Sequence, residues 1–217
     1  MKLVFMGDSI TDAFHKLNVD EAGLGNGYVA LIAERLKEMG REDFVRNSGH
    51  DGFTVSGLLR LFEYDCLQFH PDLVTVQIGS NDAAVYMNTG KTLEEQGFGD
   101  SYRKLLGRIR EETGAKILCL GPFIFPHPLE YANWIPVIQR IEELEQQIAA
   151  EEGAVFLPLH DRLNQAAKEL GYEAVTVDGS IFVANGRVVC DGIDVVNGGM
   201  LEVIGEWTAH NSGGAAL

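Results

Sequence analysis

Five short apolar runs, each followed by a small or polar loop and most of them then by a stretch of helical period, constrain this chain more than any other feature. They fall at 2–6, 44–46, 73–78, 116–120 and 154–159. Most are nearly continuous in apolar character, as strands covered on both faces are. Between them the segment 28–39 places Leu31, Ile32, Arg35, Leu36 and Met39 on one side and stops at Gly40. The segment 101–113 does the same with Tyr102, Leu105, Leu106 and Ile109, and stops at Gly114. Asn133 is the expected N-cap of a long helix carrying Val137, Ile138, Ile141, Leu144 and Ile148, closed by Gly153. Asp161 is the expected cap of the next, with Leu163, Ala166, Ala167 and Leu170 before Gly171. This alternation predicts an α/β fold: a three-layer α/β/α domain around a parallel sheet of about five strands.

The last forty or so residues break the rhythm. The run 181–189 has the pattern of a hairpin turning at Asn185-Gly186. Met200, Val203, Ile204 and Trp207 then return to helical spacing, ahead of a Ser/Gly/Ala tail at 210–217 expected to fray. With 217 residues and no internal repeat or linker, a single domain over 1–209 is expected.

Charge narrows the partners. The net charge of −15 disfavours nucleic acid and anionic membrane surfaces, both of which demand a basic face. The three cysteines, Cys66, Cys119 and Cys190, form no C-x-x-C pair and no metal-ligand grouping. Buried thiols in a reducing compartment are expected. The apolar start at 1–6 is cut off by Gly7-Asp8, too short for a signal-peptide core, and no run approaches a membrane span. A cytoplasmic protein is the expectation.

In an open parallel sheet, ligands bind outside the carboxyl ends of the strands. After the first run stands Gly7-Asp8-Ser9-Ile10-Thr11-Asp12. After the second stands Asn47-Ser48-Gly49-His50-Asp51-Gly52-Phe53-Thr54, and after the third Gly79-Ser80-Asn81-Asp82. Gly121-Pro122-Phe123 and His160-Asp161 follow the fourth and fifth. Each alone is no more than a turn with a helix cap, but together they converge hydrogen-bonding groups on one edge.

In that order these residues resemble the SGNH (GDSL-type) hydrolase family. The matching blocks are Gly7-Asp8-Ser9, Asn47-x-Gly49-x-x-Gly52-x-Thr54 and Gly79-x-Asn81-Asp82, within a likeness running from Leu3 to Trp207. Gly25-x-Gly27-Tyr28-Val29 is similar to bacterial acetylxylan-esterase-type members. The resemblance implies a flavodoxin-like SGNH fold and a serine esterase removing short acyl groups, acetyl above all, from carbohydrate or small alcohols. Ser9 would be the nucleophile at a helix N-terminus, where developing negative charge is favoured. Its own N–H, that of Gly52 and the Asn81 side-chain amide would form the oxyanion hole. Asp8 and Asp82 are expected to organise turns. A side chain at Gly52 is expected to obstruct approach to the oxyanion. No metal or organic cofactor is implied. The expected partner is a small-molecule or oligosaccharide ester, and related esterases assemble into homo-oligomers.

The family's fourth block, D-x-x-H, is altered. Asp191-Gly192-Ile193-Asp194 stands in its place, with Asp191 at the orienting position and Asp194 where the histidine belongs. Asp178-Gly179-Ser180-Ile181 is a second box, also without histidine. An ionised carboxylate is a poor base for a serine hydroxyl at pH 7. His50, His127 and His160 follow strands on the active edge, whereas His70 precedes a strand and His210 sits in the tail. Two functions follow: an esterase impaired at its base, or a relative that binds an acylated ligand without turnover. A nucleotide binder on the same sheet is disfavoured, because the first loop lacks a G-x-G-x-x-G or G-x-x-x-x-G-K pattern.

Overall fold

The computed structural model describes residues 1–15, 23–126 and 129–169, together with the strand backbones at 175–177, 181–184 and 187–190. Five strands, β1 (Lys2–Gly7), β2 (Phe44–Gly49), β3 (Leu73–Gln77), β4 (Lys116–Leu120) and β5 (Val155–Leu157), pair in the order β2-β1-β3-β4-β5. All four pairings are parallel. This is the doubly wound order whose crossovers reverse between β1 and β3, leaving a crevice at their carboxyl ends.

The helices are α1 (Ser9–Asp12), α2 (Tyr28–Glu38), α3 (Val55–Asp65), α4 (Ser80–Thr89), α5 (Leu93–Gln96), α6 (Phe98–Arg108), α7 (Ile135–Glu151) and α8 (His160–Glu169). Alternation along β1 shows why its strand is apolar throughout. Val4 and Met6 join the main core with Leu58, Phe62, Leu105, Ile138 and Ile141 from α3, α6 and α7. Leu3 and Phe5 face the opposite layer and pack on Val29 of α2. Burying both faces stabilises by ~25 cal/mol per Å² of apolar surface, which no alternating polar pattern could supply.

Several local expectations are corrected. β2 continues three residues beyond its apolar run, through Asn47-Ser48-Gly49, because β1 supplies hydrogen-bond partners up to Gly7. α2 buries Val29 and Ala33, not the stripe through Ile32 and Met39, which are 37% and 63% exposed. α7 begins after Asn133, which lies in a 3-10 turn, Leu129–Trp134, and Trp134 is the N-cap. α8 begins at His160, one residue before the expected cap Asp161. Its first N–H groups are met from α7: Glu142 Oε1 accepts from Leu159 at 3.0 Å and His160 at 3.3 Å. A cap from another helix leaves no local signature.

Downstream, β6 (Val175–Val177), β7 (Ile181–Ala184) and β8 (Arg187–Cys190) form an antiparallel sheet in which Ala184 pairs with Arg187. That pairing agrees with the hairpin expected there. Asn185-Gly186, the altered fourth block, the Trp207 segment, His127, His210 and the 210–217 tail lie outside the described residues. Cys66 and Cys119 are buried free thiols.

Candidate active site

Ser9 is the first residue of α1, directly after β1, and is half-buried. Asp8 behind it is fully buried and is the N-cap, its Oδ1 accepting the Ile10 N–H at 3.0 Å. The turn is held mainly by remote residues. Asn47 donates its side-chain amide to the carbonyls of Thr11 (2.7 Å), Asp12 (3.2 Å) and Leu24 (2.9 Å), and accepts the Gly49 N–H at 2.9 Å. Gly49 is glycine for space: a Cβ there would lie 2.1 Å from the Asp12 nitrogen.

Asn81 stands on the other side of the switch point, second in α4, also half-buried. Its amide donates to the Phe53 carbonyl at 2.9 Å. A primary amide carries two donors, so one remains to meet an oxyanion. Gly52 lies exposed in the β2–α3 loop at φ +72°, and beyond its two chain neighbours a Cβ would meet nothing within 4 Å. Within the protein its glycine character is conformational, set by the positive φ, while the open space above it is where a side chain would stand in the way of an approaching ester.

Behind these groups sit three buried carboxyls. Burial, the main cause, pushes Asp8 up to about 7, with the neighbouring Asp82 and Asp51 charges adding to the rise. Burial pushes Asp82 up to about 7 as well, although Val55 donates to it. Glu145 of α7 is raised well above the ordinary carboxyl range, first by burial and then by Asp82, Glu142 and Asp8. Among the described residues neither Glu145 oxygen has a hydrogen-bond partner. Three carboxyls that cannot all ionise so close together lower the negative charge beneath the site.

Two of the histidines on the active edge, His50 and His160, have partners of their own. His50 Nε2 lies 2.7 Å from Asp65 Oδ2, and its ring stacks on Phe53 at 4.3 Å. His160 is buried and accepts the Ile124 N–H at Nδ1 (3.4 Å). Burial lowers its pKa, in keeping with a neutral ring. His15, which lies in none of the family blocks, pairs through Nδ1 with Asp12 Oδ1, one turn beyond Ser9. Asp12-Ala13-Phe14-His15 repeats the Asp-x-x-His spacing of the missing block, a signal that was present in the sequence. Ala13 and Phe14 between them adopt left-handed φ values of 43° and 61°. Among the described residues, no group of three or more His, Cys, Asp or Glu could hold a metal ion. Nor is any helix there long and apolar enough to cross a membrane.

The blocks thus meet on one edge in a recognised arrangement, and the model of the GDSL-like lipase/acylhydrolase family matches residues 5–175. This chain belongs to that family. It is 30% identical over 186 residues to an acetylxylan esterase from Geobacillus stearothermophilus, covering 82% of this chain and 84% of the relative. A crystal structure of a Geobacillus stearothermophilus acetylxylan esterase superposes with a TM-score of 0.66 at 25% identity, over 77% of this chain and 80% of that one. Catalytic variants of that esterase have been solved with a histidine or an aspartate replaced. A GDSL-like lipase structure from Parabacteroides merdae gives 0.70 at 27% identity, over 77% and 81%. The chain is accordingly an acylhydrolase by family. The matched span includes Ser9, Gly52 and Asn81 and stops before Asp191 and Asp194.

Proposed function

We propose that this protein is a cytoplasmic serine esterase that hydrolyses short acyl esters, acetyl foremost, of carbohydrates or small alcohols, without a cofactor. Ser9 Oγ attacks the ester carbonyl, and the resulting oxyanion is received by the Ser9 and Gly52 N–H groups and the Asn81 amide. One such donor lowers the barrier by roughly 3–4 kcal/mol. The observation that carries this reading is a half-buried Ser9 and a half-buried Asn81 on either side of the β1/β3 switch point. The likeness to an acetylxylan esterase points to acetylated sugar.

Asp191 takes the orienting position and Asp194 stands for the base. An unperturbed aspartate, with a pKa of ~3.9, is ionised at pH 7 yet accepts a serine proton poorly. Losing the histidine of a serine triad lowers turnover by a factor on the order of 10⁴–10⁶. That substitution favours a second reading, in which the chain binds an acylated ligand without turning it over.

Hydrolysis of p-nitrophenyl acetate by the chain and its Ser9→Ala and Asp194→His variants tests both. A gain of about a thousandfold or more in Asp194→His, lost again in the double variant with Ser9→Ala, is expected of an esterase crippled at its base. A Ser9→Ala protein as active as its parent would sink the esterase reading.

A further inference from the structure

Two neighbouring side chains of α4 hold the loop that carries Gly52. Asn81 donates to the Phe53 carbonyl at 2.9 Å, and Asp82 Oδ2 accepts the Val55 N–H at 3.2 Å. Val55 is the first residue of α3, and its N-cap, Thr54, makes no side-chain capping bond. Asp82 therefore does from another helix what a local cap usually does. It is 2% exposed, and α3 runs for 11 residues, so the carboxylate sits at the positive end of a full helix. Gly52 itself is exposed at φ +72°, and beyond its two chain neighbours nothing lies within 4 Å of a Cβ built on it. Gly52 sits inside a turn closed by the Phe53 N–H on the His50 carbonyl at 3.2 Å, and the far side of that turn, at Phe53 and Val55, is what α4 holds.

We propose that Asp82 is a positioning residue for the oxyanion hole, holding the first turn of α3 by the Val55 N–H and thereby setting the Gly52 amide against Ser9. The inference rests on the esterase reading for what that amide does, and on hydrogen-bond geometry for how it is held. Among the described residues, the charged or titratable groups facing Asp82 are Asp8 from the β1–α1 turn and Glu145 from α7. Asp51 adjoins Gly52 on the loop. Both groups facing Asp82 are acidic, so no cation competes for its carboxylate from these positions. Holding the α3 terminus gives a buried acid a role that space-filling would not.

Asp82→Asn keeps an oxygen able to accept from Val55, and Asp82→Ala keeps none. Both are made in the full-length Asp194→His chain, with Ser9→Ala as control. Hydrolysis of p-nitrophenyl acetate, thermal unfolding and amide exchange at Gly52 and Val55 are then measured. Asp82→Ala is expected to lower kcat about ten- to a hundredfold with KM nearly unchanged, the cost of a donor misplaced by ~1 Å. Exchange at both amides should quicken, and Asp82→Asn should restore both properties. Unchanged exchange at Gly52, or unchanged kcat per folded molecule, overturns the proposal.

The unsubstituted chain supplies a measurement that no folding defect can spoil. Its Val55 and Gly52 amide resonances should move together as Asp82 ionises near pH 7, and both movements should vanish in Asp82→Asn. A Gly52 resonance that ignores that step also overturns the proposal. If Ser9→Ala keeps its parent's rate, the esterase reading falls while the exchange and resonance data still decide what Asp82 holds.

Discussion

The side-chain amide of Asn47 rests on the carbonyl of Thr11, 2.7 Å away and 36 positions back along the chain. The same nitrogen reaches the Asp12 and Leu24 carbonyls, so one side chain on β2 ties the turn after Ser9 to the segment leading into α2. The shape of the nucleophile turn is thus determined largely from the neighbouring strand.

Asn47→Ala would leave three buried or half-buried carbonyls without this donor. A loss of about 2–4 kcal/mol in unfolding free energy is expected, since each orphaned buried polar group costs ~1–3 kcal/mol and some will find water. Urea unfolding followed by circular dichroism should show a lower midpoint at unchanged slope. A loss under ~1 kcal/mol would mean that the turn holds itself.

Gly49 and Gly52 should respond differently to alanine, although only two residues separate them. At Gly49 the new Cβ would lie 2.1 Å from the Asp12 nitrogen, a backbone atom that cannot step aside. Overpacking of this kind costs ~1–3 kcal/mol or more, and it displaces the turn bearing Ser9. At Gly52 the only penalty is the left-handed φ of +72°, worth ~1–2 kcal/mol. Melting curves of the two variants should rank Gly49→Ala as the less stable. Equal losses would remove the steric explanation for Gly49.

The buried acids set a pH dependence of stability. Asp8 and Asp82 titrate near 7 in the folded protein and near 4 when unfolded, and Glu145 is raised in the same direction. Between about pH 4 and 7 the folded state therefore binds more protons than the unfolded chain. These groups contribute fully below pH 4, and their contribution is lost as pH rises through 7. His160, whose folded pKa is lowered by burial, works the opposite way below its ordinary value of 6.5. Asp8→Asn keeps an oxygen for the Ile10 N–H while removing the titration. Its unfolding free energy should fall less steeply between pH 5 and 8 than that of the parent. Parallel profiles would show that Asp8 ionises normally.

The strands were legible because Leu3–Met6 and Val74–Val76 are buried on both faces, so short runs there are nearly continuous in apolar character, broken only by Thr75. The site blocks were legible because small and hydrogen-bonding residues directly follow those strands. The packing face of α2 was not, since helical period offers more than one stripe and only the neighbouring layer selects Val29 and Ala33 over Ile32 and Met39. The start of α8 escaped too, because its cap is Glu142 on α7. The Asp12–His15 pair depends on left-handed Ala13 and Phe14, conformations that local preference disfavours.

By itself the sequence determined the five strands of the main sheet in chain order, the helices α2, α6, α7 and α8 between and after them, the family, and which groups stand at the carboxyl ends of β1, β2 and β3; it showed no sign of α3, α4 or α5. Those properties follow from local periodicity and from residues adjacent in the chain. Only the tertiary structure decided that Asn47 holds the Ser9 turn, that Asp82 holds α3 beside Gly52, and that Asp8, Asp82 and Glu145 share one buried environment. Such relations join segments far apart in sequence. Hydrogen bonds and desolvation act through space, so no local pattern of residues records them.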